Sequence, residues 1–304
     1  MSALRDLIAA ETALPAFAAA EAFARHLADD YGPGTAAVLF YGSCLRRATD
    51  ENLMLDFYVL VDGLSAALNN PLAALFGTLL PPNVYYRELP YEGRVLRAKV
   101  AVMTMRRFLR DTGPRCFAPS LWARFAQPAR ILHARSDAVR ARLIEALAQA
   151  VARMIDAARP LLPPRFTARE LWVTALRATY GTELRPESSA KAAELMDADL
   201  ARYLAVTEAV LGPPASDATY TNAAADRARI ARLAWGLRRV QGKTLNVLRL
   251  IKAAFTFHGG LDYAVWKIER HAGVTIVLTE AERRRPLLTG LKLLPRLLKR
   301  GGVK

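Results

Sequence analysis

The feature that most constrains this chain of 304 residues is a pair of short apolar runs separated by a glycine-serine turn. Residues 36–41 and 53–61 are short and apolar enough to predict two buried strands. Between them, Gly42 allows a sharp turn without steric cost, and Ser43 favours the N-terminus of a helix. Two arginines follow shortly afterwards. Because the free N–H groups at a helix start attract anions, this turn predicts an anion-binding site.

A single carboxylate, Asp56, interrupts the second apolar run. Burial of an ionised carboxylate is costly unless the group is paired or binds a metal ion. A phosphate-binding turn followed by a strand with an acid is the arrangement of polymerase-β-type nucleotidyltransferases. There the turn holds the nucleoside triphosphate and the acid holds Mg²⁺. An ordinary strand–turn–helix unit with an ion-paired Asp56 is the alternative.

The two segments resemble the mitochondrial translocator assembly and maintenance protein family in their sequences YGSCLRR and NLMLDFYVLVD. Members of that family are phosphatidate cytidylyltransferases, also called CDP-diacylglycerol synthases. Gly42, Ser43 and Arg47 match the family's turn, and Asp56 lies in its MLDF strand. The resemblance implies that the turn and Arg47 bind the nucleotide, and that Asp56 is the catalytic residue and a magnesium ligand.

Three cations outside the turn are further candidates, of which Arg97 and Lys252 match family positions and Lys99 lies beside Arg97. Residues 83–103 predict a β-hairpin that places Arg97 and Lys99 on one face of a strand. The resemblance implies that they neutralise a phosphate or lipid head group, whereas a solvated strand face is the alternative. Lys252 matches a weaker family motif with the same implied role. The second metal ligand stays open, with Glu88 of the hairpin among the candidates.

A helix start and a motif at the end of the same helix follow in the second half of the chain. Thr167 and Glu170 predict a capping box. Tyr180, Glu183 and Arg185 then fall in register with a family motif, so the resemblance implies that they bind nucleotide in an interdomain cleft. A surface pair of Glu183 with Arg185 is the alternative, and such a pair contributes less than about 1 kcal/mol to stability.

Composition indicates the kind of partner and compartment. The net charge of +15 predicts anionic partners such as nucleotides, nucleic acids or acidic lipid surfaces. Cys44 and Cys116 form neither a disulfide framework nor a metal-binding pattern, so we expect a reducing compartment. No apolar run reaches the roughly 18 residues of a transmembrane helix.

The segment 283–304 is rich in basic residues and contains no acidic one. Its leucines recur on one side, which predicts a basic amphipathic segment that binds an anionic bilayer. The residues expected at the membrane are Arg284, Arg285, Leu291, Lys292, Leu294, Arg296, Leu298, Lys299 and Arg300. A packed terminal helix and nucleic-acid binding are the alternatives, although the segment lacks the aromatic side chains that RNA-binding segments often interleave.

We therefore expect an α+β fold in three parts. Residues 1–160 would form a polymerase-β-type nucleotidyltransferase domain. Residues 161–282 would form a mainly helical domain, for which a winged-helix-like arrangement is one option, and residues 283–304 the basic tail. Within the second part, residues 223–240 and 244–257 predict two separate helices.

Taken together, these features predict a magnesium-dependent phosphatidate cytidylyltransferase that acts peripherally on the cytoplasmic side of a membrane. Its partners would be CTP, phosphatidate and the anionic membrane surface, with no stable nucleic-acid partner. A nucleotidyltransferase acting on RNA or a small molecule is one alternative, and a non-catalytic membrane-binding relative is another.

Overall fold

The computed structural model describes residues 2–47, 54–183 and 189–256. The helices are α1 (Ser2–Ala13), α2 (Ala18–Asp30), α3 (Ser43–Arg47), α4 (Leu64–Ala67), α5 (Pro71–Leu79), α6 (Met105–Thr112), α7 (Pro119–Phe125), α8 (Asp137–Ala158), α9 (Ala168–Tyr180), α10 (Ser189–Ala198), α11 (Leu200–Leu211) and α12 (Ala228–Thr256). The strands are β1 (Thr35–Tyr41), β2 (Leu55–Val61), β3 (Asn83–Tyr91), β4 (Arg94–Thr104), β5 (Ala129–Ala134), β6 (Arg165–Thr167) and β7 (Thr219–Thr221).

Five strands form a mixed sheet in the order β3-β4-β2-β1-β5. Strand β2 runs parallel to β4, and the other neighbours are antiparallel. The two predicted apolar strands, β1 and β2, lie side by side near the centre, and every residue of β1 is buried. The expected α+β class is confirmed, and β1, α3 and β2 follow one another in the predicted order.

Helices cover both faces of this sheet. On one face, α2 packs against the apolar side of the central strands, where Phe23 stacks on Phe57 with ring centroids 5.5 Å apart. On the other face, a larger hydrophobic cluster includes residues from α1, α6, α7, α8, α9 and α12. This burial holds the two central strands rigidly, because well-packed interiors leave little room for displacement.

The larger cluster extends across the domain boundary predicted at residues 160 and 161. It runs from Leu4 in α1 to Trp235 in α12. The indole of Trp235 packs edge-on against Trp122 and donates a hydrogen bond of 3.0 Å to the Ala157 carbonyl. The two predicted parts therefore share one hydrophobic core.

Local sequence signals predicted one helix start and one hairpin correctly. The capping box at α9 is present, since the Thr167 hydroxyl accepts from the Glu170 amide and the Glu170 carboxylate accepts from the Thr167 amide. The β-hairpin expected at residues 83–103 is also present as β3 and β4. Strand β5 was not predicted, because Arg130 and His133 interrupt any apolar run.

The prediction of two helices at residues 223–240 and 244–257 is wrong. A single helix, α12, continues through Gly242. The glycine does not end the helix but permits a close contact, since a Cβ atom there would lie 2.5 Å from the Thr182 carbonyl oxygen. The glycine in the sequence therefore indicates a close contact between α12 and Thr182, and not the end of a helix.

No single helix in the described ranges is long and apolar enough to cross a membrane. By length and composition alone, the bent pair of α1 and α2, which meet at 97°, passes the same test. Both helices contribute side chains to the core, including Leu4, Ile8, Phe23 and Leu27.

Candidate functional site

A cavity of about 390 Å³ lies where the adjacent ends of β1 and β2 meet α7, α9 and α12. It brings together six residues that the sequence singled out: Gly42, Ser43, Asp56, Lys99, Tyr180 and Glu183. These residues come from both predicted domains. The cleft between the glycine-serine turn and the end of α9, which the sequence only implied, is therefore a geometric feature of this chain.

The glycine-serine turn packs directly against the acid. Gly42 has a φ of +93°, which L side chains rarely adopt, and a Cβ atom there would lie 2.7 Å from an Asp56 carboxylate oxygen. Helix α3 begins at the next residue, Ser43. The buried Cys44 next to the turn fixes its position, because the Cys44 thiol donates a hydrogen bond of 3.1 Å to the Met54 carbonyl. Glycine at position 42 is thus required both by the backbone conformation and by the space that Asp56 occupies.

Asp56 lies in β2 between Tyr41 of β1 and Lys99 of β4. Burial raises the pKa of its carboxyl above the ordinary value. The positive charges of Lys99, then Arg124 and then Arg46, act in the opposite direction and favour the ionised form. The carboxylate is therefore poorly solvated and surrounded by cations. The cations suit the space in front of it to an anion, and the carboxylate suits the same space to a metal ion.

Among the described residues, four cations line the cavity, and three of them were not among the predicted site residues: Arg46, Arg124 and Arg249 join Lys99. The Arg124 guanidinium donates to the Tyr41 hydroxyl at 3.1 Å and lies 5.3 Å from the centre of its ring. Its buried Nε has no hydrogen-bond partner among the described residues. The Arg249 Nε donates to the Pro81 carbonyl at 3.0 Å, and burial lowers the pKa of this arginine.

The carboxylates on the cavity wall are fewer than the cations. Within the described residues, Asp56 and Glu183 are the two acids that line it. An excess of positive charge in a concave site with partly buried walls attracts and holds polyanions such as a triphosphate.

A smaller cavity of about 150 Å³ adjoins the first. The two cavities share Lys99, Arg124 and Arg249, and the smaller one is also lined by Tyr58, Met103 and the acid Asp111. Two phosphate-bearing molecules placed in the two cavities would therefore meet at the same three cations.

The donor set fits a magnesium ion that substrate phosphates largely hold. Within the described ranges, no group of three or more His, Cys, Asp or Glu side chains is arranged to bind a metal. Mg²⁺ is commonly bound by one or two carboxylates together with phosphates and water. Asp56 satisfies that minimum. Glu88 is directed elsewhere, since it accepts from the Tyr86 hydroxyl at 2.6 Å and pairs with Arg97 at 3.3 Å.

Two predicted head-group cations lie away from the cavity. Arg97 points along the same strand face as Lys99 but is paired with Glu88. The Lys252 amine donates to the Leu80 and Pro82 carbonyls at 2.6 and 2.7 Å. Burial lowers the pKa of Lys252 to about 8. The structure thus gives Lys252 a role in fixing α12 to the loop before β3, in place of the predicted contact with a head group.

Other predictions fall outside the part of the chain that the structure describes. Arg185 and the basic tail at 283–304 lie outside the described residues, as does the side chain of Arg47. The neighbouring Arg46 lines the cavity. Arg124 and Arg249 could have been noticed as single arginines within the otherwise apolar sequences LWARFA and NVLRLI.

No protein-family model matches the chain, and a search of curated proteins found no match either. Among solved structures, the chain is similar to a nucleotidyltransferase-like protein from Exiguobacterium sibiricum 255-15. The sequence identity is 12%, the TM-score is 0.26, and the match covers 92% of this chain and 89% of that chain. The functional inference therefore rests on the geometry of the cavity.

Proposed function

We propose that this chain is a nucleotidyltransferase, and that it transfers a cytidylyl group from CTP to phosphatidate. The observation that carries the nucleotidyltransferase assignment is the convergence of the Gly42–Ser43 turn, four cations and the Asp56 carboxylate in one cavity. The choice of CTP and phosphatidate follows from the resemblance of the turn and the MLDF strand to phosphatidate cytidylyltransferases.

Each wall of the cavity has a part in this reaction. The turn at Gly42 and Ser43 would cradle the triphosphate together with Arg46, because backbone N–H groups and a guanidinium match phosphate oxygens. Lys99 would stabilise the charge that develops on the leaving pyrophosphate, and Arg124 and Arg249 would bind the phosphates of the substrates. Magnesium, when bound by Asp56 and the phosphates, would supply further neutralisation of that charge.

The acceptor is a phosphate rather than a hydroxyl group in this proposal. An oxygen of the phosphatidate phosphate forms a bond to the α-phosphorus of CTP, and the bond from that phosphorus to the β-phosphate oxygen breaks. The bonding electron pair leaves with pyrophosphate. A phosphomonoester has a second pKa near 6, so the attacking oxygen is already deprotonated at neutral pH.

The cavity fits a nucleophile of this kind. The described residues that line it include no histidine. Lys99, Arg124 and Arg46 surround Asp56, and the other carboxylate, Glu183, is exposed to solvent. A hydroxyl acceptor, such as the ribose of an RNA end, would need a general base near its oxygen. The shared cations of the two cavities suit a reaction in which both partners present phosphates.

The test is incubation of the purified protein with labelled CTP, phosphatidate vesicles and Mg²⁺. We expect a lipid-soluble labelled product and one pyrophosphate released for each label transferred. CTP binding without product would favour a non-catalytic relative. Label transfer to RNA in place of lipid would favour the other class of nucleotidyltransferase.

The proposed place of action is the cytoplasmic face of a membrane, where phosphatidate is found in the bilayer. The basic segment 283–304 remains a proposed contact with that surface. Because exposed charges are screened by salt, the binding of the intact protein to anionic vesicles should weaken as ionic strength rises.

A further inference from the structure

The outward side of α12 carries a row of aliphatic side chains, here called the α12 stripe: Ile230, Leu233, Leu237, Val240, Val247 and Ile251. Their exposed fractions range from 45% to 72%. They recur at alternating spacings of three and four residues, with Thr244 at the one remaining position. Single exposed apolar residues are ordinary, but a continuous row marks an interaction surface.

The charges beside the α12 stripe are all positive. Arg229, Arg232, Arg239 and Lys243 are exposed on the same helix. The sequence from residue 228 to 256 contains no aspartate or glutamate. A helix with an apolar side flanked by basic residues binds in the plane of an anionic lipid surface.

A second copy of the chain is less well suited to this surface. Pairing two α12 stripes would bring Arg232 and Arg239 of one copy close to the same basic residues of the other. Like charges at the edges of paired helices are unfavourable, and paired helices normally carry opposite charges there. Charge complementarity therefore favours an anionic surface over self-association.

The opposite side of α12 faces the cavity through Gly242, Asn246 and Arg249. A helix with its side chains is about 10 Å across, and an interfacial helix buries its apolar side by roughly 5–10 Å. A helix docked through the α12 stripe would therefore hold the cavity near the level of the lipid phosphates. That level is where the phosphate of the proposed acceptor lies.

We propose that the α12 stripe is the surface through which this chain docks on an anionic membrane. The purpose of docking rests on the proposed function, because it brings the cavity to a lipid phosphate. The docking itself does not depend on catalysis and is measured separately. Within the described part of the chain, no other element covers the stripe.

The experiment compares the full-length protein with the double variant Leu233→Glu and Leu237→Glu. The control is Leu204→Glu, which places the same change on another exposed helix position. Sedimentation uses phosphatidylcholine vesicles with or without phosphatidylglycerol, an anionic lipid that is not the proposed substrate. We expect the double variant to lose at least about tenfold in partitioning onto the anionic vesicles, and the control to partition as the intact protein does.

A parallel measurement distinguishes docking from function. Turnover on a short-chain, soluble phosphatidate should be the same in the double variant and the intact protein, while turnover on vesicles should fall. If no variant shows turnover but the double variant loses vesicle binding, docking stands and the proposed function fails.

Three results would overturn the docking proposal. One is that the intact protein does not partition onto anionic vesicles. Another is that the double variant partitions as well as the intact protein. The third is that the intact protein is a dimer, whereas the double variant is a monomer that still binds vesicles. That result would assign the α12 stripe to contacts between copies of the chain.

Discussion

The cavity has two walls that differ in origin. The sheet wall consists of Gly42, Ser43, Asp56 and Lys99, which lie within 58 residues of one another and are placed by strand pairing. The helical wall includes Arg124 and Arg249, which are brought together by the packing of α7 and α12. The sheet wall fixes the acid and the turn, whereas the helical wall supplies much of the positive charge.

This difference separates two functions of the site. The sheet wall holds its atoms by hydrogen-bonded register and a tight glycine, so it is suited to orient the reacting groups. The helical wall presents long cationic side chains, so it is suited to bind a polyanion. We therefore expect substitutions in the sheet wall to reduce turnover mainly, and substitutions in the helical wall to reduce nucleotide affinity mainly.

The largest effect is expected for Asp56→Asn in the sheet wall. Loss of the carboxylate removes the proposed magnesium ligand, so turnover should fall by about 10³-fold or more. Transfer of label from CTP to lipid is the measurement, with circular dichroism to verify the fold. A folded variant with near-normal turnover would show that Asp56 is not catalytic. It would also contradict the assignment of different roles to the two walls.

A smaller loss of turnover is expected for Gly42→Ala, with Gly32→Ala as the matched control. Both glycines have positive φ values, +93° and +70°, so both variants should lose about 1–2 kcal/mol of stability. At Gly42 the added Cβ also meets Asp56, whereas at Gly32 it meets nothing within 4 Å. Turnover should fall about 10²-fold for Gly42→Ala alone, because displaced reacting groups are costly. Equal activity in the two variants would show that the contact with Asp56 does not matter.

In the helical wall, Arg249→Met should weaken CTP binding about tenfold, with a smaller change in turnover, since one charged hydrogen bond to phosphate is lost. Lys252→Met is the control on the same helix. Its amine is engaged by carbonyls outside the cavity, so that variant should lose about 2 kcal/mol of stability and keep its CTP affinity. Calorimetry with CTP and chemical denaturation measure the two quantities. If Lys252→Met weakened CTP binding and Arg249→Met did not, the roles assigned to the two residues would be exchanged.

The smallest effect is expected at the contact between Gly242 of α12 and Thr182, which follows the end of α9. Gly242→Ala introduces a Cβ within 2.5 Å of the Thr182 carbonyl, so it should destabilise the protein by about 1–3 kcal/mol. Gly236→Ala on the same helix meets nothing within 4 Å and should stabilise it by about 0.5–1 kcal/mol. Thermal denaturation of the two variants measures the difference. Stabilisation by both would mean that the close approach at Gly242 is easily relieved.

The two walls also differ in how well the sequence predicts them. Gly42, Ser43 and Asp56 could be identified because strands and turns leave a signal within a few consecutive residues. Arg124 and Arg249 stand out only as single arginines in mostly apolar runs, and nothing in those runs shows that they line one cavity, because their positions depend on how distant helices pack. The same limit applies to Lys252, whose surroundings are set by the loop before β3, and to Gly242, where only the structure shows the neighbouring Thr182.

The hydrogen bond between the Cys44 thiol and the Met54 carbonyl ties the first turn of α3 to the start of β2. The bond joins the two elements that carry Gly42 and Asp56, each of which lies two residues from the bonded pair. Loss of this one hydrogen bond, which contributes about 1 kcal/mol, would therefore loosen the turn and the acid together.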